Sequence, residues 1–246
     1  MEKSKKERYI NWLKTGQIEK FNRYRKLLYR HEVYNINFEN ANLENANMVN
    51  ANLENANLAN ANLYNVNMKR ANLENANLEN SNLESANMEN SNLENANLEN
   101  AYLANAYMGN VNLENTNMKR AKLENAYMGN ANLENSNLEN ANIIRANLIS
   151  VNINSINLRG ADLTGANLSQ IQGKHIFKTS GNGSQGREIW YILEDDYINA
   201  GCWDGTLDEF EKRVENEYGH DKDSYEYKSY QDVIEYYRKK KRRFEK

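Results

Sequence analysis

Ala71-Asn-Leu-Glu-Asn-Ala-Asn-Leu-Glu-Asn-Ser-Asn-Leu-Glu-Ser-Ala-Asn-Met-Glu-Asn90 is the stretch on which the fold turns. An apolar residue stands at every fifth place (Leu73, Leu78, Leu83, Met88), with a small one two places before each (Ala71, Ala76, Ser81, Ala86). Followed outward in both directions, the frame holds from residue 36 to residue 170, as 27 consecutive blocks with no insertion or slip. The third position is apolar throughout, from Phe38 to Leu168. The first is mostly Ala, with Ser81, Ser91, Thr116, Val66, Val111 and Ile156 among the exceptions, and Asn supplies most second and fifth positions. A period of five fits no helix face, because residues at i and i+5 drift by about 140° on a helix of 3.6 residues per turn. Two inward residues spaced by one, followed by a corner, suit a short extended segment and a turn.

A second period lies on the first. Met recurs in the third position at 48, 68, 88, 108 and 128, and Ala-Tyr-Met-Gly-Asn at 106–110 returns at 126–130. Twenty residues are four blocks, which describes a square coil with one block on each side. Residues i and i+20 then stack at the inter-strand spacing of about 4.7–4.9 Å. The Met stripe points inward and reads as core, a flexible thioether filling irregular gaps.

The pattern closely resembles the pentapeptide-repeat family, whose repeat is Ala-(Asp/Asn)-Leu-x-x, over residues 36–170. The resemblance implies an all-β solenoid, a right-handed quadrilateral β-helix of about seven coils stacking to roughly 33 Å, with Leu and Ala inside and the other positions outside. Stacked Asn side chains either form amide ladders along such a rod or hold its corners.

A solenoid needs its open ends covered. Residues 1–35 carry Trp12, Leu13, Ile18, Phe21, Tyr24, Leu27 and Leu28 among basic residues, the pattern of a helical N-terminal cap. Phe21-Asn22-Arg23-Tyr24-Arg25 resembles the family's lead-in to the repeats. From residue 171 to residue 246 the five-residue frame is gone and the composition reads as a small α+β C-terminal domain. Ile176-Phe177 and Ile189–Leu193 predict a hairpin around the Gly181–Gly186 loop. Thr206 and Glu209 form a capping box that starts a helix carrying Leu207, Phe210 and Val214. A second helix is predicted over about 222–240, its stripe Tyr230, Val233, Ile234 and Tyr237 packing on the strands or on a second copy, so that a homodimer through this domain is open.

Composition agrees with a folded but core-poor chain: 246 residues, 39% hydrophobic, 26% charged, no Pro, mean hydropathy −0.95 and formal net charge −3. No apolar run approaches the ~20 residues that span a bilayer, and Met1–Lys6 lacks the apolar segment of a signal peptide, so a cytoplasmic protein without membrane contact is expected. Cys202 is the single cysteine and reads as a structural thiol; His31, His175 and His220 are scattered. Nothing pairs a nucleophile with a base, spaces metal ligands or cradles phosphate, so neither an enzyme, a cofactor nor a metal is expected.

Charge is distributed unevenly: +6 over residues 1–35, −7 over 36–170 and −2 over 171–246. The run Arg238–Arg243 would complement a helix C-terminus or touch nucleic acid, the one feature able to do so directly, and is read first as a solvated basic tail. Sorted by the twenty-residue period, the fourth position places Glu54, Glu74, Glu94, Glu114 and Glu134 in one column, while Val49, Lys69, Glu89, Gly109, Gly129 and Ile149 form a nearly uncharged one. Like charges ~4.8 Å apart repel by about 0.9 kcal/mol even at the dielectric of water, so the column carries a cost. Some members of the family are known as DNA mimics that bind DNA gyrase and topoisomerase IV. The resemblance therefore implies a non-enzymatic DNA-mimic protein presenting an acidic rod to a DNA-handling enzyme and inhibiting or modulating it. The target is a type II topoisomerase such as gyrase or, because Ile198–Phe210 resembles a domain appended to some phage and prophage members, a host defence nuclease. The alternative is an interaction scaffold that uses Tyr102, Tyr107 and Tyr127 on the uncharged side together with the C-terminal domain.

Overall fold

The structure, a computed structural model, describes residues 3–29, 35–182, 187–201 and 203–244. Cys202, His31 and the 183–186 part of the hairpin loop lie outside the described residues. The chain forms two compact units, Met1–Gly173 and Lys174–Lys246.

In the first unit, second-position residues of successive coils pair in parallel at an offset of twenty, from Asn37↔Asn57 to Asn152↔Gln172. Each side contributes three bonds to the next coil. On the first side Phe38 N–H donates to Asn57 O (2.6 Å), Asn57 N–H to Ile36 O (2.8 Å) and Asn40 N–H to Ala59 O (3.0 Å). Between one block and the next, Ala41 N–H reaches back to Phe38 O (2.8 Å) and closes a four-residue turn. The fifth residue occupies the i+2 place of that turn with φ between +52° and +61° at its non-glycine corners, and +67° and +68° at Gly160 and Gly165. A type II turn requires this left-handed value, and Asn reaches it more easily than other non-glycine residues. The corner, not the ladder alone, therefore explains the Asn-rich fifth position.

Third-position side chains are 0–4% exposed from Phe38 to Leu163, and only Leu168, in the last coil, is half-buried. The polar first-position residues are buried without being orphaned. Ser81, Ser91 and Ser136 donate their hydroxyls to the carbonyls three residues back (2.6, 2.6 and 2.7 Å), and Thr116 does the same to Leu113. A buried hydroxyl with a partner carries little of its desolvation cost.

Helices α1 (Lys3–Lys14) and α2 (Ile18–Tyr29) cover the first coil. Tyr9, Leu13 and Phe21 are buried, and the Phe21 ring lies 6.2 Å from that of Phe38, the first inward residue of the coil. Asn22 acts as a piece of strand for the open edge, donating to Asn50 O (2.9 Å) and accepting from Asn52 N–H (2.8 Å). The buried Arg25 guanidinium donates to Glu54 O.

The second unit is an antiparallel four-stranded meander, β1 (Ile176–Asn182), β2 (Arg187–Ile192), β3 (Tyr197–Asn199) and β4 (Asp204–Gly205), followed by α3 (Leu207–Tyr218) and α4 (Tyr225–Phe244). The expected hairpin is present, with Phe177 opposite Tyr191. β3 and β4 were not expected; at three and two residues they are too short to show alternation. The capping box forms as anticipated, with Glu209 N–H donating to Thr206 Oγ1 (3.2 Å) and Thr206 N–H to Glu209 Oε2 (2.9 Å). Val233, Ile234 and Tyr237 of α4 join Leu207, Phe210 and Val214 of α3 and Ile189, Tyr191 and Ile198 of the sheet in one core. The apolar stripe thus packs on the strands of its own chain. Tyr237 donates its hydroxyl to Ile189 O (2.7 Å), and burial pushes its phenol pKa up.

The basic run corrects the sequence reading. Through Arg243 it is the last part of α4, where it complements the helix C-terminus; Lys239, Arg242 and Arg243 are exposed, whereas Arg238, Lys240 and Lys241 are half-buried and not a free tail. Arg238 pairs with Asp208 (2.9 Å) and Glu211, Lys241 pairs with Asp196 (3.0 Å), and Lys240 stands 4.8 Å from the centre of the Phe177 ring. Along this last part of α4, Arg238 meets acidic residues of α3, and Lys241, beyond the expected end of the helix, meets one in the turn before β3.

Candidate functional site

All five carboxylates of the acidic column, Glu54, Glu74, Glu94, Glu114 and Glu134, project from the same side of the coil, one per turn, and each is half-buried. Their partners are the second-position amides two residues short of the next coil's carboxylate. Asn92, Asn112, Asn132 and Asn152 donate through Nδ2 to Oε2 of Glu74, Glu94, Glu114 and Glu134 at 3.4, 3.3, 3.3 and 3.1 Å. The same nitrogens donate to Oδ1 of the Asn one coil back, at 3.5, 3.0, 3.4 and 2.9 Å. Each Oδ1 also accepts the N–H two residues on, as Asn112 does from Glu114 (3.2 Å). The amide is used on both its N–H bonds and on its oxygen, and it joins the coils while orienting the carboxylates. Glu54, at the start of the column, takes Asn55 Nδ2 on Oε1 (3.4 Å) instead.

This arrangement changes the energetic reading of the column. A repulsion of about 0.9 kcal/mol per pair is met by an amide hydrogen bond of about 1 kcal/mol on each of four carboxylates. The column is therefore close to neutral for stability, and its supporting Asn residues, which sequence reasoning did not assign to it, follow a rule visible afterwards from Glu74 to Glu134, Glu at i with Asn at i+18, from which Glu54 with Asn72 departs.

The aromatic residues are brought together as expected. Tyr107 and Tyr127 stack with ring centroids 4.8 Å apart and an interplanar angle of 6°. Lys122 Nζ stands 4.2 Å from the centre of the Tyr102 ring. A Cβ at Gly129 would come within 2.6 Å of the Tyr127 hydroxyl, and one at Gly109 within 3.0 Å of the same ring, so the glycines make room for rings lying against the coil.

The remaining candidates do not assemble into chemistry. His175 pairs through Nδ1 with Glu194 Oε1 (2.6 Å), and His220 is exposed. Burial tends to raise the Glu194 carboxyl, but its hydrogen bonds with the His175 ring and backbone prevail and hold it below its ordinary value. Among the described residues no group of three or more His, Cys, Asp or Glu is placed to hold a metal, and no helix is long and apolar enough to cross a membrane. An open groove of ≈ 610 Å³ between α3 and α4 is lined by charged side chains that pair with one another, such as Glu211 with Arg238.

Comparison with known proteins agrees with this architecture. The pentapeptide-repeats family, in eight copies, matches overlapping stretches from 36–75 to 141–172, and the chain belongs to that family. No curated protein sequence matches it. Among solved structures, QnrB1, a plasmid-mediated fluoroquinolone resistance protein, is similar at 18% identity and a TM-score of 0.54, over 62% of this chain and 76% of that one. HetL, involved in heterocyst differentiation regulation in the cyanobacterium Nostoc sp. strain PCC 7120, is 24% identical over 56% of this chain and 76% of its own, with a TM-score of 0.19. Rfr23 from the cyanobacterium Cyanothece 51142 is 28% identical over 59% and 96%, with a TM-score of 0.18. The likeness to QnrB1 concerns the fold alone.

Proposed function

We propose that the first unit acts as a DNA-mimic binding protein, presenting Glu54, Glu74, Glu94, Glu114 and Glu134 to the DNA-binding groove of a type II topoisomerase such as gyrase, or of a defence nuclease, and inhibiting or modulating that enzyme. The observation that carries the proposal is the column itself. Carboxylates recur once per coil on one side, and four of them are held in place by amides of the same side. B-DNA offers one phosphate per ~3.4 Å along each strand; a row at ~4.8 Å presents a field of the same sign and similar density to a cationic groove. Ordering the side chains beforehand removes part of the entropy that a flexible acidic segment would lose on docking.

The test uses the full chain and a variant with Gln at all five positions (Glu54→Gln, Glu74→Gln, Glu94→Gln, Glu114→Gln, Glu134→Gln). Supercoiling by purified gyrase and cleavage by DNA-degrading nucleases are measured at low and high salt. Mimicry requires an effect of the wild type that weakens with salt and disappears in the variant. An undiminished effect in the variant refutes it.

A further inference from the structure

The position that most regularly supports the coil is also the one that is abandoned in a single place. In 23 of the 27 blocks the second residue is Asn or Asp, and its Oδ1 accepts the N–H two residues on. The four exceptions are Tyr102, Tyr107, Lys122 and Tyr127. They occupy two neighbouring sides of two neighbouring coils, with Tyr102 bridged to Lys122 and Tyr107 to Tyr127. At each, the side-chain acceptor for the turn is lost, and what the coil receives in exchange is one stacked ring pair and one cation over a ring. Local departures from an otherwise consistent structural rule mark function more often than fold.

What replaces the amides is exposed and specific in its chemistry. Tyr102 and Tyr107 are 45% and 41% exposed, and Lys122 is exposed. Arg120, at the corner just before Lys122, is exposed as well, and neither cation has a carboxylate partner among the described residues. Lys69 and Lys119, by contrast, are paired with Glu89 (2.5 Å) and Glu139 (3.0 Å). Glu124 is the carboxylate within the block; its Oε1 accepts from Asn142 (2.6 Å), and its Oε2 is buried with no hydrogen-bond partner among the described residues. The ring faces are largely taken, Tyr107 and Tyr127 by each other and Tyr102 by Lys122. Nucleic-acid bases need open aromatic faces to stack on, and this patch offers hydroxyls, ring edges and cations in their place.

We infer that Tyr102, Tyr107, Lys122 and Tyr127, with Arg120 at their border, form a docking surface for an acidic segment of a protein partner. Carboxylates of that segment meet Lys122 and Arg120, and its main chain meets the tyrosine hydroxyls. Charge complementarity commits the surface to this occupant: two cations without a carboxylate partner among the described residues stand together on a β-helix whose residues 36–170 sum to −7. The surface lies on sides other than the acidic column and does not depend on the column's role.

The test exploits the coil's own rule. A variant carrying Tyr102→Asn, Tyr107→Asn, Lys122→Asn and Tyr127→Asn restores the regular lattice, so it folds with a Tm at or above that of the wild type. Phage-displayed random peptides are selected on the immobilised full chain and then measured by fluorescence anisotropy against both proteins. Acidic peptides that bind the wild type and lose about tenfold or more in affinity on the variant support the inference; Lys122→Glu alone should abolish their selection. Selection of neutral or basic peptides, equal binding by the variant, or no selective peptide overturns it. Oligothymidylate that binds the wild type and not the variant also overturns it, in favour of single-stranded nucleic acid.

Discussion

Replacing Asn112 with Ala removes four hydrogen bonds at once. Nδ2 donates to Asn92 Oδ1 (3.0 Å) and Glu94 Oε2 (3.3 Å), while Oδ1 accepts from Glu114 N–H (3.2 Å) and Asn132 Nδ2 (3.4 Å). The site is half-buried, so water compensates in part, and each bond contributes near the lower end of its range, about 0.5 kcal/mol. The sum is about 2 kcal/mol, which for a chain of this size lowers Tm by roughly 4–8 °C. Asn112→Asp keeps the acceptor but deletes both donors and adds a third negative charge beside Glu94 and Glu114. It should therefore cost at least as much as Ala at neutral pH, although it is closer in shape. Thermal and guanidinium unfolding followed by far-UV circular dichroism measure both variants. A loss below about 0.5 kcal/mol for Ala, or an Asp variant milder than Ala, would refute the claim that amide donors stabilise the column.

Other perturbations probe separate parts of the molecule. Leu103→Ala opens a cavity beneath a fully buried position and should cost about 2–5 kcal/mol in the same unfolding assay. Asn125 sits at a corner with φ +57°, so Asn125→Ala should be less stable than Asn125→Gly by on the order of 1 kcal/mol, a reversal of the usual Gly–Ala order. In the second unit, Thr206→Ala removes the α3 cap and should cost about 1 kcal/mol, seen as earlier amide exchange in α3. Glu194 has its carboxyl pKa held below the ordinary 4.5, so its contribution is present above that value and is lost as pH falls through the lower folded value. His175→Ala should accordingly flatten the acid limb of the second unit's stability below pH 4.5.

The amide–carboxylate network bears on how the acidic column is to be understood. A row of like charges in a sequence suggests strain retained for a purpose, but each of four Glu residues here has a donor within 3.4 Å. Repulsion alone is thus no argument for function. A further sign lies elsewhere, in Tyr102, Tyr107, Lys122 and Tyr127, where the regular turn acceptor has been given up for exposed rings and a cation that contact one another across the coils.

The coil was legible from the amino-acid sequence because every block repeats the same local instructions. Phe38 or Leu43 faces inward, an Asn tolerates the left-handed corner, and the recurrence of Met48, Met68 and Met88 counts the sides. Stacking at i+20 follows from that count, so the Tyr107–Tyr127 stack and the Tyr102–Lys122 pair could be placed in advance. The capping box at Thr206 was legible for the same reason, since its partner is three residues away. Three other matters were decided only by the folded chain: the donation of Asn92 to Glu74, the use of Asn22 as a substitute strand on the first coil, and the pairing of Arg238 with Asp208 at the end of a helix that ran further than expected. In each, the partners belong to different turns or elements, and a hydrogen bond or ion pair forms only within about 3–4 Å. A repeating local rule fixes a period, whereas distances of that order between side chains remote in sequence are set by packing.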